Sequence, residues 1–85
     1  MNLTESIITN YIYNNYENVS LIRLKLCRLT LAYEISLYMK NGKTKEIQIP
    51  YKEIRKIEFS DLCYENTARA IENYIKTLIE KEKIF

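Results

Sequence analysis

The residues able to do chemistry in this chain are few, and what is missing limits them further. There is no histidine among 85 residues. That removes the side chain that most often moves protons near neutral pH, and with it the usual activator of a serine or cysteine nucleophile. Cys27 and Cys63 lack the CxxC spacing of a redox pair, and two distant thiols without histidine do not make a structural zinc site. The single glycine, Gly42, is too few for a phosphate-cradling loop or a dinucleotide fingerprint. What remains is a pair of carboxylates, Glu34 and Glu46, which strand alternation puts on one exposed face. They stand among lysines with no pocket implied, so they read as solvated surface charge. No catalytic residue, metal-ligand set or cofactor is expected, and the chain reads as non-enzymatic.

Binding is the chemistry left. The formal net charge of +2 is unevenly spread: residues 1–20 carry −2, residues 21–45 carry +5, residues 46–60 balance and residues 61–85 carry −1. Arg23, Lys25 and Arg28 fall in the first strand region, and Lys40, Lys43 and Lys45 at the tip of a hairpin. Together they can form an electrostatic footprint for phosphates or acidic protein. The competing explanation is that they keep an exposed strand soluble and block edge-to-edge pairing. Tyr38 is the one aromatic expected beside them on the open sheet face, where a single-strand binder would carry several. Eight tyrosines offer another route. Tyr33, Tyr51, Tyr64 and Tyr11 fit core positions, whereas Tyr13, Tyr16, Tyr38 and Tyr74 fit the surface, and exposed tyrosine with arginine is typical of protein interfaces.

The elements that must position these groups follow from periodicity. Leu3, Ile7, Ile8, Tyr11 and Ile12 form one helical stripe, with Asn2 or Thr4 able to cap it and an end near Tyr16. Residues 20–40 alternate as strand, but the phase changes. Ile22, Leu24 and Leu26 are apolar at even positions, and Leu29, Leu31, Tyr33, Ile35, Leu37 and Met39 at odd ones. A slip of one residue sends every side chain to the other face, so a bulge or a short kinked connection between two strands is required at Cys27–Arg28. After the next strand, Asn41-Gly42 suggests a two-residue hairpin, but that register pairs Leu37 with Glu46. A three-residue loop of Lys40, Asn41 and Gly42 instead pairs Ile35 with Ile47, Tyr33 with Ile49 and Glu34 with Gln48, and every pair agrees in polarity. Glycine is then needed only for a left-handed backbone. Pro50 ends the strand, a helical turn over residues 51–54 follows, and Ile57 and Phe59 alternate as a short last strand. Ser60 or Asp61 can cap a final helix whose stripe is Tyr64, Ala68, Ile71, Ile75, Leu78 and Ile79.

The order is α-β-β-β-(β)-α in one domain over residues 1–85. The two helical stripes need a cover, and the apolar side of the sheet is the only large one available. The expected fold is therefore an α+β two-layer sandwich, with an antiparallel sheet of three or four strands and both terminal helices on one face. Arg23, Lys25, Arg28, Thr30, Glu34, Ser36, Tyr38, Glu46 and Gln48 should make up the other, open face.

Apolar residues make up 47% and charged residues 28% of the chain, as in a folded domain. No apolar run reaches the length of a membrane span, and residues 3–16 lack the basic start and small-residue cleavage site of an export signal. The cysteines are expected to be reduced and packed as small hydrophobes in a cytosolic protein. Abundant Ile, Lys and Tyr, together with eight Asn, fit an AT-rich genome better than thermophily, which disfavours Asn. The expectation is a small binding protein in the host cytosol. Size and composition suit a virus, phage or plasmid accessory protein that inhibits a host protein or nucleoprotein complex, of the anti-CRISPR kind. The alternative is direct nucleic-acid binding by the basic face and hairpin tip. A homodimer formed through an edge strand is a third arrangement.

Overall fold

The computed structural model describes residues 3–58, 60 and 63–85. The helix α1 (Leu3–Asn15) leads into three strands, β1 (Val19–Cys27), β2 (Ala32–Met39) and β3 (Thr44–Pro50), followed by helices α2 (Tyr51–Glu58) and α3 (Tyr64–Glu82). The strands form one open antiparallel sheet in the order β1-β2-β3. The domain is an α+β sandwich, with its helices on one face of the sheet.

The core is the meeting of the apolar stripes. Ile7, Ile8 and Ile12 of α1, and Ile71, Ile75 and Ile79 of α3, close over Tyr33, Ile35, Leu37, Met39, Ile47 and Ile49, with Ile54 of α2 completing the cluster. Thr4 is no cap. It lies inside α1, is buried, and donates its hydroxyl to Glu58 Oε2 at 2.7 Å. That bond ties the start of α1 to the end of α2, and it steadies a carboxylate that would otherwise sit unfavourably at a helix C-terminus. Asn2, the other expected cap, lies outside the described residues.

The second hairpin follows the polarity argument. Ile35 pairs with Ile47, Tyr33 with Ile49 and Glu34 with Gln48. The Met39 N–H donates to the Lys43 carbonyl at 2.8 Å, closing a loop of residues 40–42. Gly42 has φ +86, and a Cβ there would meet nothing within 4 Å. Backbone conformation alone, not crowding, calls for glycine.

The phase change near Cys27 resolves into a hairpin rather than a bulge. Residues 28–31 turn the chain between β1 and β2, and Cys27 pairs with Ala32. No glycine is present, so Leu31 takes the left-handed backbone itself, with φ 50. The odd-position stripe therefore begins at Tyr33, and Leu29 and Leu31 are not strand residues facing the core. The Tyr51 N–H donates to the Leu31 carbonyl at 2.8 Å, fixing this turn to the start of α2.

The short last strand is also replaced. Ile57 lies in α2, because Tyr51, Ile54 and Ile57 recur at helical spacing and two alternating residues cannot outweigh that. Phe59 lies outside the described residues. Ser60 closes α2 by donating its hydroxyl to the Ile57 carbonyl at 2.6 Å, and α3 starts later, with Cys63 as its N-cap residue. Asp61 lies outside the described residues. Tyr64 stays 57% exposed in the first turn of α3, so the buried stripe starts at Ala68 rather than at the tyrosine. At the other end Lys83 adopts φ 52, and the Ile84 N–H reaches back to the Ile79 carbonyl, a Schellman closure without glycine.

Candidate functional site

The open face exists, but it is not a basic surface. β1 pairing with β2 sets Arg23 beside Ser36 and Lys25 beside Glu34, and β3 adds Glu46 and Gln48 to the same two rows. Lys25 Nζ lies 3.5 Å from Glu34 Oε1, and Gln48 Nε2 donates to Glu34 Oε2 at 3.5 Å. Glu34 is thereby occupied as the middle of a cross-strand row rather than as half of a carboxylate dyad. The Arg23 guanidinium lies 5.9 Å from the centre of the Tyr38 ring, a cation–aromatic contact on the surface. Two cations and two carboxylates on one sheet face cancel. A solvated ion pair of this kind adds no more than about 1 kcal/mol of stability.

The expected binding residues are also dispersed. Arg23, Lys25 and Tyr38 share the open face. Arg28 sits in the turn between β1 and β2, with Thr30, and so is not on the face. Lys40 and Lys43 flank the opposite turn, about 25 Å away along β2 at the usual rise per strand residue. Lys45 pairs with Leu37, and so points to the helix side of the sheet. Two causes act: the length of β2 holds the turn bearing Arg28 and the loop flanked by Lys40 and Lys43 at opposite ends of the sheet, and strand alternation turns Lys45 to the side opposite Arg23 and Lys25.

A different surface stands out at the β1–β2 end. Leu29 is 97% exposed and Leu31 64%, and Leu26, the nearest apolar residue of β1, is 40% exposed. Beside them lies a groove of about 650 Å³, floored by Leu31, Pro50 and Tyr51 and lined by Thr30, Lys52, Arg55 and Lys56. The Arg55 guanidinium rests 5.5 Å from the centre of the Tyr51 ring, and Lys56 Nζ lies 3.5 Å from Glu53 Oε1. Here an apolar floor and cationic walls occur together. Sequence reasoning placed both leucines in a strand and so missed them. The available signal was the phase change: once a turn occupies residues 28–31, two leucines are left with nothing to bury them.

The turn also shapes the chemistry of one thiol. Cys27 is a half-buried free thiol, and its pKa is lowered by a hydrogen bond from the Thr30 side chain and by the Thr30 and Leu29 backbone. Cys63 is free and exposed, not packed as a small hydrophobe, because it precedes α3 on the surface. Across the molecule, burial pushes the Tyr11 phenol up to about 12, helped by its hydrogen bond and charge interaction with Tyr16. Tyr16, the residue just after α1, in turn stacks on Phe85 with ring centres 4.4 Å apart, and this contact holds Phe85 beside the end of that helix.

No protein-family model, curated protein or solved structure matches this chain. Among the described residues, no helix is long and apolar enough to cross a membrane.

Proposed function

We propose that this chain is a non-enzymatic binding protein that docks through the leucine-tipped end of its sheet onto an acidic, partly apolar surface of a macromolecular partner. The observation that carries this reading is Leu31. It holds a left-handed backbone, which costs a non-glycine residue about 1 kcal/mol or more. It also leaves most of its side chain in water, beside an almost fully exposed Leu29. Neither conformation nor packing rewards leucine at that position; contact with a partner would. Lys52, Arg55 and Lys56 around the adjoining groove supply the charge preference.

The wider role follows from size and composition. A small accessory protein of a virus, phage or plasmid, acting in the host cytosol, can inhibit a host protein or nucleoprotein complex by covering a surface that the complex needs. An anti-CRISPR-like inhibitor is one such protein. Direct nucleic-acid binding by Arg23, Lys25 and Tyr38 is the second reading, favoured by the cation–aromatic pair of Arg23 and Tyr38, whose ring offers a face on which a base could stack. The balanced charge of the open face weighs against it.

A photo-crosslinking amino acid at position 29, compared with one at position 44 on the opposite end of β3, tests the docking end in host cells. The expected result is a specific protein adduct from position 29 only, lost when Leu31→Gly is added. That same substitution should leave the isolated domain about 0.5–1 kcal/mol more stable in chemical denaturation, because glycine relieves the left-handed backbone. Adducts from position 44 alone would refute the docking end. Oligonucleotide binding that weakens steeply with salt and is lost in Arg23→Ala would install the second reading.

A further inference from the structure

The free edge of β1 differs from an ordinary sheet edge in three respects, and together they specify what it can hold. The first is backbone direction. The Ile22 N–H points away from β2, since it donates to the Tyr13 hydroxyl at 2.9 Å. The register from Leu21 to Cys27 is unbroken. Alternation therefore turns the N–H and C=O groups of Leu24 and Leu26 outward as well. Tyr13 covers the beginning of the edge, and among the described residues no other group bonds the outward backbone of Leu24 or Leu26.

The second is the helix-side cover, which fades along the strand. Val19 is buried, Ile22 and Leu24 are half-buried, and Leu26 is exposed. An apolar strip thus runs beside the unpaired backbone groups, on the side where the helices lie.

The third is charge. On the other side of β1, Arg23 and Lys25 stand between these apolar positions. Any antiparallel self-pairing that joins at least two of Ile22, Leu24 and Leu26 to their copies sets Arg23 or Lys25 against Arg23 or Lys25 of the second molecule. Like charges directly opposite are destabilising, so this edge is charged against its own copy in the way edge strands resist self-association. The same two cations favour a strand with carboxylates at alternate positions.

We propose that the β1 edge, from Ile22 to Leu26, is a strand-addition site for a partner segment that alternates apolar and acidic residues. The segment's backbone completes the outward groups of Leu24 and Leu26. Its apolar side chains extend the core strip past Leu24 and Leu26, and its carboxylates lie beside Arg23 and Lys25. Recognition of this type takes affinity from main-chain hydrogen bonds and specificity from alternate side chains. It shares only Leu26 with the exposed leucines of that end and none of the residues lining the groove, so it stands whether or not that groove is the docking end.

The test uses the full chain and three short capped peptides: one alternating glutamate and valine, one alternating lysine and valine, and a copy of the first with its edge-facing amides N-methylated. Affinity is read by fluorescence anisotropy, and the site by amide hydrogen exchange. The glutamate peptide should bind roughly tenfold tighter than the lysine peptide, since two cross-strand charge pairs change sign. It should also slow exchange at Leu24 and Leu26 while leaving Ile22 unchanged. The N-methylated copy should lose binding without any change to the protein. Leu24→Pro should do the same, and proline is tolerated where an edge N–H faces solvent; if that variant does not fold, the N-methylated peptide still decides. Equal binding of the glutamate and lysine peptides, protection at sites other than Leu24 and Leu26, or a stable dimer in which these amides are already slow would each overturn the proposal.

Discussion

The two edges of the sheet are built from similar strands and end up with opposite characters. On β3, the core-facing Ile47 and Ile49 are 1% and 0% exposed, and the outward backbone positions carry Thr44, Glu46, Gln48 and Pro50. Polar side chains and a proline, which has no N–H to offer, blunt that edge. On β1 the core-facing side chains emerge step by step from under α1, and the strand runs into a turn bearing two exposed leucines. An edge that is fully covered has its stability invested in the core. One left half-covered keeps apolar surface for something else.

This contrast can be broken most directly by truncation. Ile47→Ala removes a side chain the core closes over completely and should cost about 2–5 kcal/mol. Leu26→Ala, at the uncovered end of β1, should cost well under about 1 kcal/mol, in the range of surface substitutions. Chemical denaturation of the two variants measures both, and comparable losses would mean that β1 is as well packed as β3. The hydroxyl that covers the start of β1 gives a smaller effect. Tyr13→Phe deletes the acceptor for the Ile22 N–H, a bond worth about 0.5–1.5 kcal/mol net. It should bring amide exchange at Ile22 up to that of Leu24, whereas unchanged exchange would mean that packing rather than the hydroxyl protects the amide. The smallest change concerns Cys27, where β1 meets the exposed turn. Its lowered pKa makes the thiolate, the reactive form, available at lower pH than for an ordinary thiol. The midpoint of its alkylation against pH should therefore lie below that of an unperturbed thiol and move upward in Thr30→Val, with Cys63→Ser as the background. A midpoint indifferent to Thr30 would remove the turn as its cause.

Much of the fold was legible because the relevant signals were redundant. For the 40–42 loop, polarity agreement across the pairs at residues 33, 34 and 35 rejected the commoner two-residue turn, and the paired register follows it. The helical stripes of α1 and α3 were long enough to average over local exceptions such as Leu3 and Tyr64, both exposed. The Cys27–Arg28 irregularity was visible, but its form was not. A bulge and a four-residue hairpin both reverse parity, and turn chemistry could not decide between them when a leucine does the work of a glycine. The expected basic patch is not assembled on one surface, for a geometric reason. Proximity in sequence put Arg28 with Arg23 and Lys45 with Lys43, whereas the turn over residues 28–31 takes Arg28 off the sheet face and strand alternation takes Lys45 to the helix side.

Alternation and helical spacing, which are local properties of the chain, determined the α+β class, the antiparallel hairpin register and most of the core. The absence of histidine and the single glycine limited the chemistry before any fold was known. Only tertiary structure decided which strand would be left half-covered, where the two turn leucines would stand, and that the open face would balance its charges. Those outcomes depend on where three helices can pack over three strands, a question of shape and volume in which residues far apart in sequence compete for the same space.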